Sequence, residues 1–198
     1  VTTSIVVLLF SGRRQPRPLV GLETLTSAGP DDIDAAAERC GRLIVVGSDA
    51  DLAAVLTRLL HTDRLDVEVA HVTGWWTARR ARRAIARRVP LIRDETGRVI
   101  VGAAEWRGVD GAPLHGEAVV DDAQLFDGDV AGVQIEPTRS MPGLRAAVSG
   151  GIRRRWVAGR AAQLGTTGAT VLRDGTADGK VVRRSTFYRH TQGWLLVE

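Results

Sequence analysis

Leu43-Ile44-Val45-Val46-Gly47-Ser48-Asp49-Ala50-Asp51-Leu52 is the stretch on which the reading of this chain turns. Four consecutive apolar residues, ending in a valine pair, fit a buried strand. Gly47-Ser48-Asp49 punctuates the run. Apolar residues at 52, 55, 56, 59 and 60 then follow at helical spacing. The stretch predicts a strand, a tight turn and a helix. In an open α/β sheet such a junction faces the crevice at the carboxyl ends of the strands, where ligands bind.

The flanks extend the pattern. Ser4 to Phe10 reads as a first strand, Ser11 to Pro18 as a Gly- and Pro-containing loop, and Leu19 to Leu25 as a second strand. Pro30 suits a first helical position, and Asp31 and Asp32 suit a first turn, where carboxylates oppose the helix dipole. That helix is expected to run to about Cys40 and to stop at Gly41. Leu65 to Ala70 alternates as a fourth strand, Gly74 breaks it, and a basic helix is expected from Trp75 to about Arg88. Alternating strands and helices argue for a parallel sheet.

After Pro90 the texture changes. Leu91-Ile92-Arg93 and Val99-Ile100-Val101 flank Asp94-Glu95-Thr96-Gly97, a hairpin signal. Short strands are expected at Gly116–Val120, Val130–Ile135, Arg160–Leu164, Thr170–Arg173, Val181–Phe187 and Trp194–Val197, and a short helix or loop at Gly143–Gly151. The expected organisation is an α/β domain with a parallel sheet over residues 1–90, then an antiparallel, β-rich, sandwich-like domain over 91–198. Trp106, Trp156 and Trp194 fit the core or rim of the β half, and Met141 and Tyr188 fit packing positions.

Composition narrows the classes. A hydrophobic fraction of 44% over 198 residues supports a real core. No apolar run approaches the roughly 20 residues of a membrane span. Ile5 to Phe10 is too short for a signal peptide, so the cytoplasm is the expected compartment. A single cysteine, Cys40, excludes an internal disulfide and a Cys-based zinc site. The four histidines lack metal-ligand spacing. The net charge is +4, and of 27 basic residues only Lys180 is lysine, so arginine clusters are partly compositional.

Two features carry candidate chemistry. Backbone N–H groups in the Gly47-Ser48-Asp49-Ala50-Asp51 turn can meet a phosphate. Asp49 and Asp51 oppose a bare anion but suit one bridged by Mg²⁺. The simpler reading is a helix cap by Ser48 or Asp49. Second, Arg79, Arg80, Arg83 and Arg87 share one broad face of the expected basic helix, opposite Ala78, Ala81, Ile85 and Val89. That face suits anionic lipid or nucleic acid, or simply solvent.

In order and spacing the chain resembles the diacylglycerol kinase catalytic-domain family, which includes bacterial lipid kinases and sphingosine kinases. The family signature is a strand ending in Gly-Gly-Asp-Gly-Thr, then Leu-Asn-Glu-Val on a helix. Here Gly47, Asp49, Leu52 and Val55 match. Thr24 to Gly29 stands where the family has its Thr and Gly-His-Ala stretch. Gly74 is what remains of a second loop, Pro-Leu-Gly-Thr-x-Asn-Asp-Phe-Ala. Asp174-Gly175-Thr176 stands where members carry Asp-Gly-Glu, whose acidic residue assists proton removal from the lipid hydroxyl. The resemblance implies an α/β nucleotide domain followed by a β-rich domain, ATP or ADP with Mg²⁺ as cofactors, and a lipid acceptor. Gly47, Ser48, Asp49, Asp51 and Gly74 would line the cofactor site, Asp49 would face the metal, and Asp174 would be the catalytic base. The departures point to a degenerate member. Ser48 and Ala50 replace glycines, the second loop lacks its Asn-Asp, and Thr176 replaces the glutamate. Three functions are therefore carried forward: a non-catalytic binding protein on a lipid-kinase scaffold, an active ATP-dependent lipid kinase with an altered site, and a basic module for anionic lipid or nucleic acid. Peripheral membrane contact fits the first and third. An open sheet in the β half leaves room for a homodimer.

Overall fold

The computed structural model describes residues 4–10, 12–26, 29–150 and 154–198. Ser11 of the first loop, Ser27 and Ala28 of the stretch before the first helix, and Gly151 lie outside them. The chain forms two compact units, residues 1–89 with Gln192–Glu198, and Pro90–Thr191.

In the first unit the strands are β1 (Ile5–Leu9), β2 (Glu23–Thr26), β3 (Arg42–Val46), β4 (Glu68–Val72) and β5 (Ala86–Val89), and the helices are α1 (Pro30–Arg39), α2 (Asp49–His61) and α3 (Trp75–Ala81). The C-terminal strand Trp194–Val197, numbered β16 in chain order, completes a six-stranded sheet ordered β2-β1-β3-β4-β16-β5. All neighbours are parallel except β16 and β5. This corrects the expectation that Trp194–Val197, Trp194 included, belongs to the antiparallel half. Four short apolar residues fit either sheet, and only the pairing with Val69 and Arg87 decides.

Every residue of β3 is buried, as its unbroken apolar run requires of a strand covered on both faces. Ile44 and Val46 pack with Val7 and Leu9 against Ala78 and Ala81 of α3. Alternation sends Leu43 and Val45, both fully buried, to the opposite face. Helices α1 and α2 are clamped together by Arg58, whose Nε donates to Asp34 Oδ1 at 2.7 Å, and this bond holds the Asp34 carboxyl below its usual range.

The basic helix ends seven residues earlier than its sequence suggests. The Arg42 guanidinium, buried at the start of β3, donates to the Ala81 and Ala84 carbonyls at 3.0 Å each and pairs with Glu68. A cation on the last carbonyls terminates α3 there. Ala86-Arg87-Arg88-Val89 then runs as the edge strand beside β16, where charged side chains protect an open edge. Arg83, in the turn after α3, and Arg87, on β5, are therefore not on a helical face with Arg79 and Arg80. Arg87 is an edge-strand residue. It pairs with Glu198 at 2.6 Å.

The second unit is antiparallel throughout. Its strands are β6 (Ile92–Asp94), β7 (Val99–Ile100), β8 (Ala104–Gly108), β9 (Leu114–Val120), β10 (Ala123–Val130), β11 (Val133–Pro137), β12 (Leu144–Val148), β13 (Val157–Gly159), β14 (Ala161–Arg173) and β15 (Thr176–Arg189). Strand β14 pairs along one edge with β15. Its other edge meets β9 through residues 162–166 and β8 through residues 169–173, with a register break between them. The sheet thereby folds around one core centred on Trp106 and Phe187. Trp106 Nε1–H donates to the buried Ser185 hydroxyl at 3.0 Å.

Further details differ from expectation. The separate strands expected at Arg160–Leu164 and Thr170–Arg173 are one, β14. The single strand over Val130–Ile135 is two, because Gly132, at φ 154°, approaches the Trp106 carbonyl so closely that a Cβ would lie 2.9 Å from it. Leu144–Val148 is a strand rather than a helix or loop. Met141 is 67% exposed rather than packed, and Trp156 lies half-buried under the Arg145 guanidinium.

Candidate functional site

The order β2-β1-β3 reverses direction between β1 and β3, so the carboxyl ends of these strands flank the crevice typical of an open α/β sheet. Gly47 to Asp51 sits there. The loop after β1 brings the exposed Arg13 and Arg14 to the same end of the sheet. Sequence reasoning treated these two only as loop residues.

The turn is closed on itself. Ser48 is the N-cap of α2, and the Asp51 carboxylate folds back over it. Asp51 Oδ2 accepts from the Ser48 backbone N–H at 2.8 Å and from the Ser48 hydroxyl at 2.8 Å. The Asp51 N–H reaches Ser48 Oγ at 3.3 Å. Gly47 makes this return path possible, since a Cβ there would lie 2.7 Å from Asp51 Oδ2 and 2.8 Å from Asp51 Cβ. The cap is therefore Ser48 with Asp51, not Asp49.

Asp49 points elsewhere. Its Oδ1 is 3.7 Å from Nδ1 of His71, a β4 residue that the sequence did not single out. His71 Nε2 lies 3.1 Å from the Gly47 carbonyl. A carbonyl can only accept, so Nε2 carries the proton. His71 thus ties the β3–α2 turn to the neighbouring strand. Only its position at the end of an alternating strand could have indicated this.

Gly74 follows β4 on the same end of the sheet and is the N-cap of α3. Its N–H and that of Thr73 both donate to Thr77 Oγ1 at 3.1 Å. A Cβ at Gly74 would meet nothing within 4 Å, so no close backbone approach needs glycine there. Among the described residues no group of three or more His, Cys, Asp or Glu side chains is placed to hold a metal ion.

Asp174 lies in the second unit. With Gly175 it forms the two-residue turn between β14 and β15, at φ 47° and 80°. Asp-Gly is a favoured pair for such a turn. Its carboxylate bends back and accepts the N–H groups of Val101, Gly102 and Ala103 at 3.1, 2.7 and 3.1 Å. The candidate base is thus occupied in holding the chain between β7 and β8.

The second unit also carries an open cavity of about 460 Å³ whose lining includes Asp122, Arg160, Gln163, Tyr188 and His190. Asp121 at its rim is spent on the Arg160 and Ala161 N–H groups. Burial, with Arg93 nearby, holds the His190 imidazole below its usual range.

This architecture, a mostly parallel α/β sheet with a separate antiparallel unit, is the diacylglycerol kinase-like fold, which NAD kinases share. A diacylglycerol kinase from Bacillus anthracis str. Sterne matches with a TM-score of 0.72 at 12% identity, over 100% of this chain and 97% of that one. An NAD kinase from Archaeoglobus fulgidus, solved in complex with ATP, matches with a TM-score of 0.66 at 10% identity, over 98% and 93%. No protein-family model and no curated protein matches the sequence. The fold that the sequence resemblance implies is thus the fold observed. No helix of the described residues is long and apolar enough to cross a membrane.

Proposed function

We propose that this chain is a non-catalytic binding protein built on the kinase fold, with its phosphate turn closed by its own side chains. The observation that carries this reading is the Asp51 carboxylate on the Ser48 N–H. That N–H is one a phosphate at the helix N-terminus would use. A carboxylate already bonded to it both occupies the donor and repels the anion. Asp49, half-exposed and beside His71, adds a second negative charge to the turn. The residues present thus do not fit a bare phosphate, and among the described residues no group of three or more His, Cys, Asp or Glu side chains is placed to hold a metal ion by itself. The occupied Asp174 carboxylate argues the same way, because a general base must be able to reach the hydroxyl it deprotonates.

The test is a thermal shift of the wild-type chain with ATP and ADP, with and without Mg²⁺. A ligand at a hundredfold excess over its dissociation constant stabilises the native state by about 2.7 kcal/mol. The expected result is no shift at millimolar nucleotide. A Mg²⁺-dependent shift lost in Asp49→Ala, together with ATP-dependent phosphorylation of a lipid, would establish the active-kinase reading instead.

A further inference from the structure

We propose that the outward face of α3 docks on an anionic lipid bilayer. Successive helical residues turn by about 100°. Taking Trp76 as zero, Arg79 and Arg80 fall within about 60° of it, whereas Ala78 and Ala81 lie on the far side, and Arg83 follows, exposed, in the turn after α3. The structure agrees, since Ala78 and Ala81 are buried against the sheet and Trp76 is 73% exposed. Trp75 stands at the edge of this face, about half exposed, edge-on to Trp76 with the rings 4.6 Å apart. Arg79 lies over the Trp75 ring at 5.8 Å. Ile85, in the connection to β5, is 90% exposed. Two indoles and an isoleucine left in water on one short segment is the pattern of an interaction surface.

Charge selects the occupant. From Trp75 to Val89 the chain has no acidic residue. The other arginines of the segment are engaged: Arg82 with the Pro18 carbonyl, Arg87 with Glu198, Arg88 with the Gly193 carbonyl. Arg80 and Arg83 make no ion pair with any described residue. Tryptophan settles at the headgroup level of a bilayer, and arginine beside it reaches anionic headgroups. A convex helix face offers no groove in which bases could stack. Ile85, with no aromatic plane, suits acyl chains better than nucleobases. The proposal concerns α3 and the connection that follows it, and does not rest on the nucleotide reading.

The experiment is flotation of the full chain with phosphatidylcholine vesicles, with and without phosphatidylserine, at low and high salt. Flotation is expected only with phosphatidylserine and is expected to weaken with salt. The double variant Trp75→Ser, Trp76→Ser is expected to lower the partition coefficient by about tenfold or more. Arg80→Gln with Arg83→Gln is expected to lower it by about fivefold per arginine. Val181→Ser, an exposed apolar position in the second unit, is expected to change nothing. Vesicles with brominated acyl chains give a second readout on the wild type: part of the tryptophan emission is quenched, and the residual emission is that of Trp106, Trp156 and Trp194. Failure of the wild type to float with phosphatidylserine at low salt overturns the proposal. So does flotation that both double variants retain. A dimer, or binding to a single-stranded oligonucleotide, that depends on Trp76 in the absence of vesicle binding assigns the face to that partner and overturns it too.

Discussion

Replacing Asp174 separates a carboxylate that builds the second unit from one that performs chemistry. Three backbone N–H groups converge on it, and a hydrogen bond to a charged acceptor contributes about 1.5–3 kcal/mol. The simple sum, about 4.5–9 kcal/mol, is an upper bound. Asp174, Val101, Gly102 and Ala103 are all half-buried, so water takes over some of these donors once the carboxylate is gone. About 3 kcal/mol is the realistic loss for Asp174→Ala. Alanine also tolerates the positive φ of this turn less well than aspartate does, which adds up to about 1 kcal/mol. Asp174→Gly loses the same bonds without that strain and is expected to fall below alanine. Asp174→Asn keeps one acceptor oxygen and is expected to cost about 1 kcal/mol. Urea unfolding followed by tryptophan emission reads the series. With a slope near 2 kcal/mol per molar, the alanine midpoint drops by about 1.5 M. An alanine midpoint within about 0.3 M of wild type would refute the reasoning, because it would mean that the three N–H groups do not depend on this carboxylate.

Other outcomes follow from buried groups. Asp94 is fully buried, its Oδ2 accepts from Arg173 Nε at 2.6 Å and its Oδ1 from the Thr96 and Arg98 backbone N–H groups, so Asp94→Ala removes one of the two partners of a buried guanidinium together with these bonds and is expected to cost about 3–5 kcal/mol in urea unfolding. Asp178→Ala, which removes an exposed partner of Arg173 and Arg98, is expected to cost about 1 kcal/mol or less. Burial pushes the Cys40 thiol above its usual range, so a thiol reagent at mildly alkaline pH is expected to modify it only at the rate of unfolding, measured by mass spectrometry. His190 titrates below the ordinary histidine range in the folded chain, because burial, then Arg93, disfavours the imidazolium. The unfolded chain therefore takes up this proton first as pH falls, and stability drops as pH passes below about 6.5. His190→Gln is expected to flatten that slope in a pH series of thermal midpoints.

Periodicity carried the fold well where each segment needed one environment. Leu43–Val46, buried on both faces, and the 52, 55, 56, 59, 60 pattern of α2 each have a single low-energy placement, and both lie as read. Periodicity failed where a distant residue decided. Nothing between Trp75 and Arg88 says that Arg42, more than thirty residues earlier, takes the carbonyls that end α3. Nothing in Trp194–Val197 says that the strand returns to the first sheet rather than extending the second. Strands such as β8 and β10 were missed. Strand β8 alternates, with Ala104, Trp106 and Gly108 inward and Glu105 and Arg107 outward, but it is only five residues long and carries a single large apolar residue; in β10 a bulge between Gln124 and Phe126, together with Gly128, breaks the alternation. The position of His71 beside Gly47 is likewise a product of strand order, which local spacing does not contain.

The turn at Gly47 is instructive because two incompatible uses share nearly the same residues. In the lipid-kinase signature a threonine stands where this chain has Asp51, and glycines stand where it has Ser48 and Ala50. Ser-x-x-Asp ahead of an apolar helix is a capping box, a pattern legible from Ser48 and Asp51 alone. A carboxylate at the third helical position competes with a phosphate for the same N–H, and the carboxylate is covalently present at all times. Replacing threonine by aspartate at one position therefore does more than remove a hydroxyl. It gives the turn a helix cap satisfied by its own side chain, while the strand, the helix and the glycine that let them meet are left in place. Helix α2 needs no bound phosphate to complete its first turn, because the Ser48–Asp51 cap already does so.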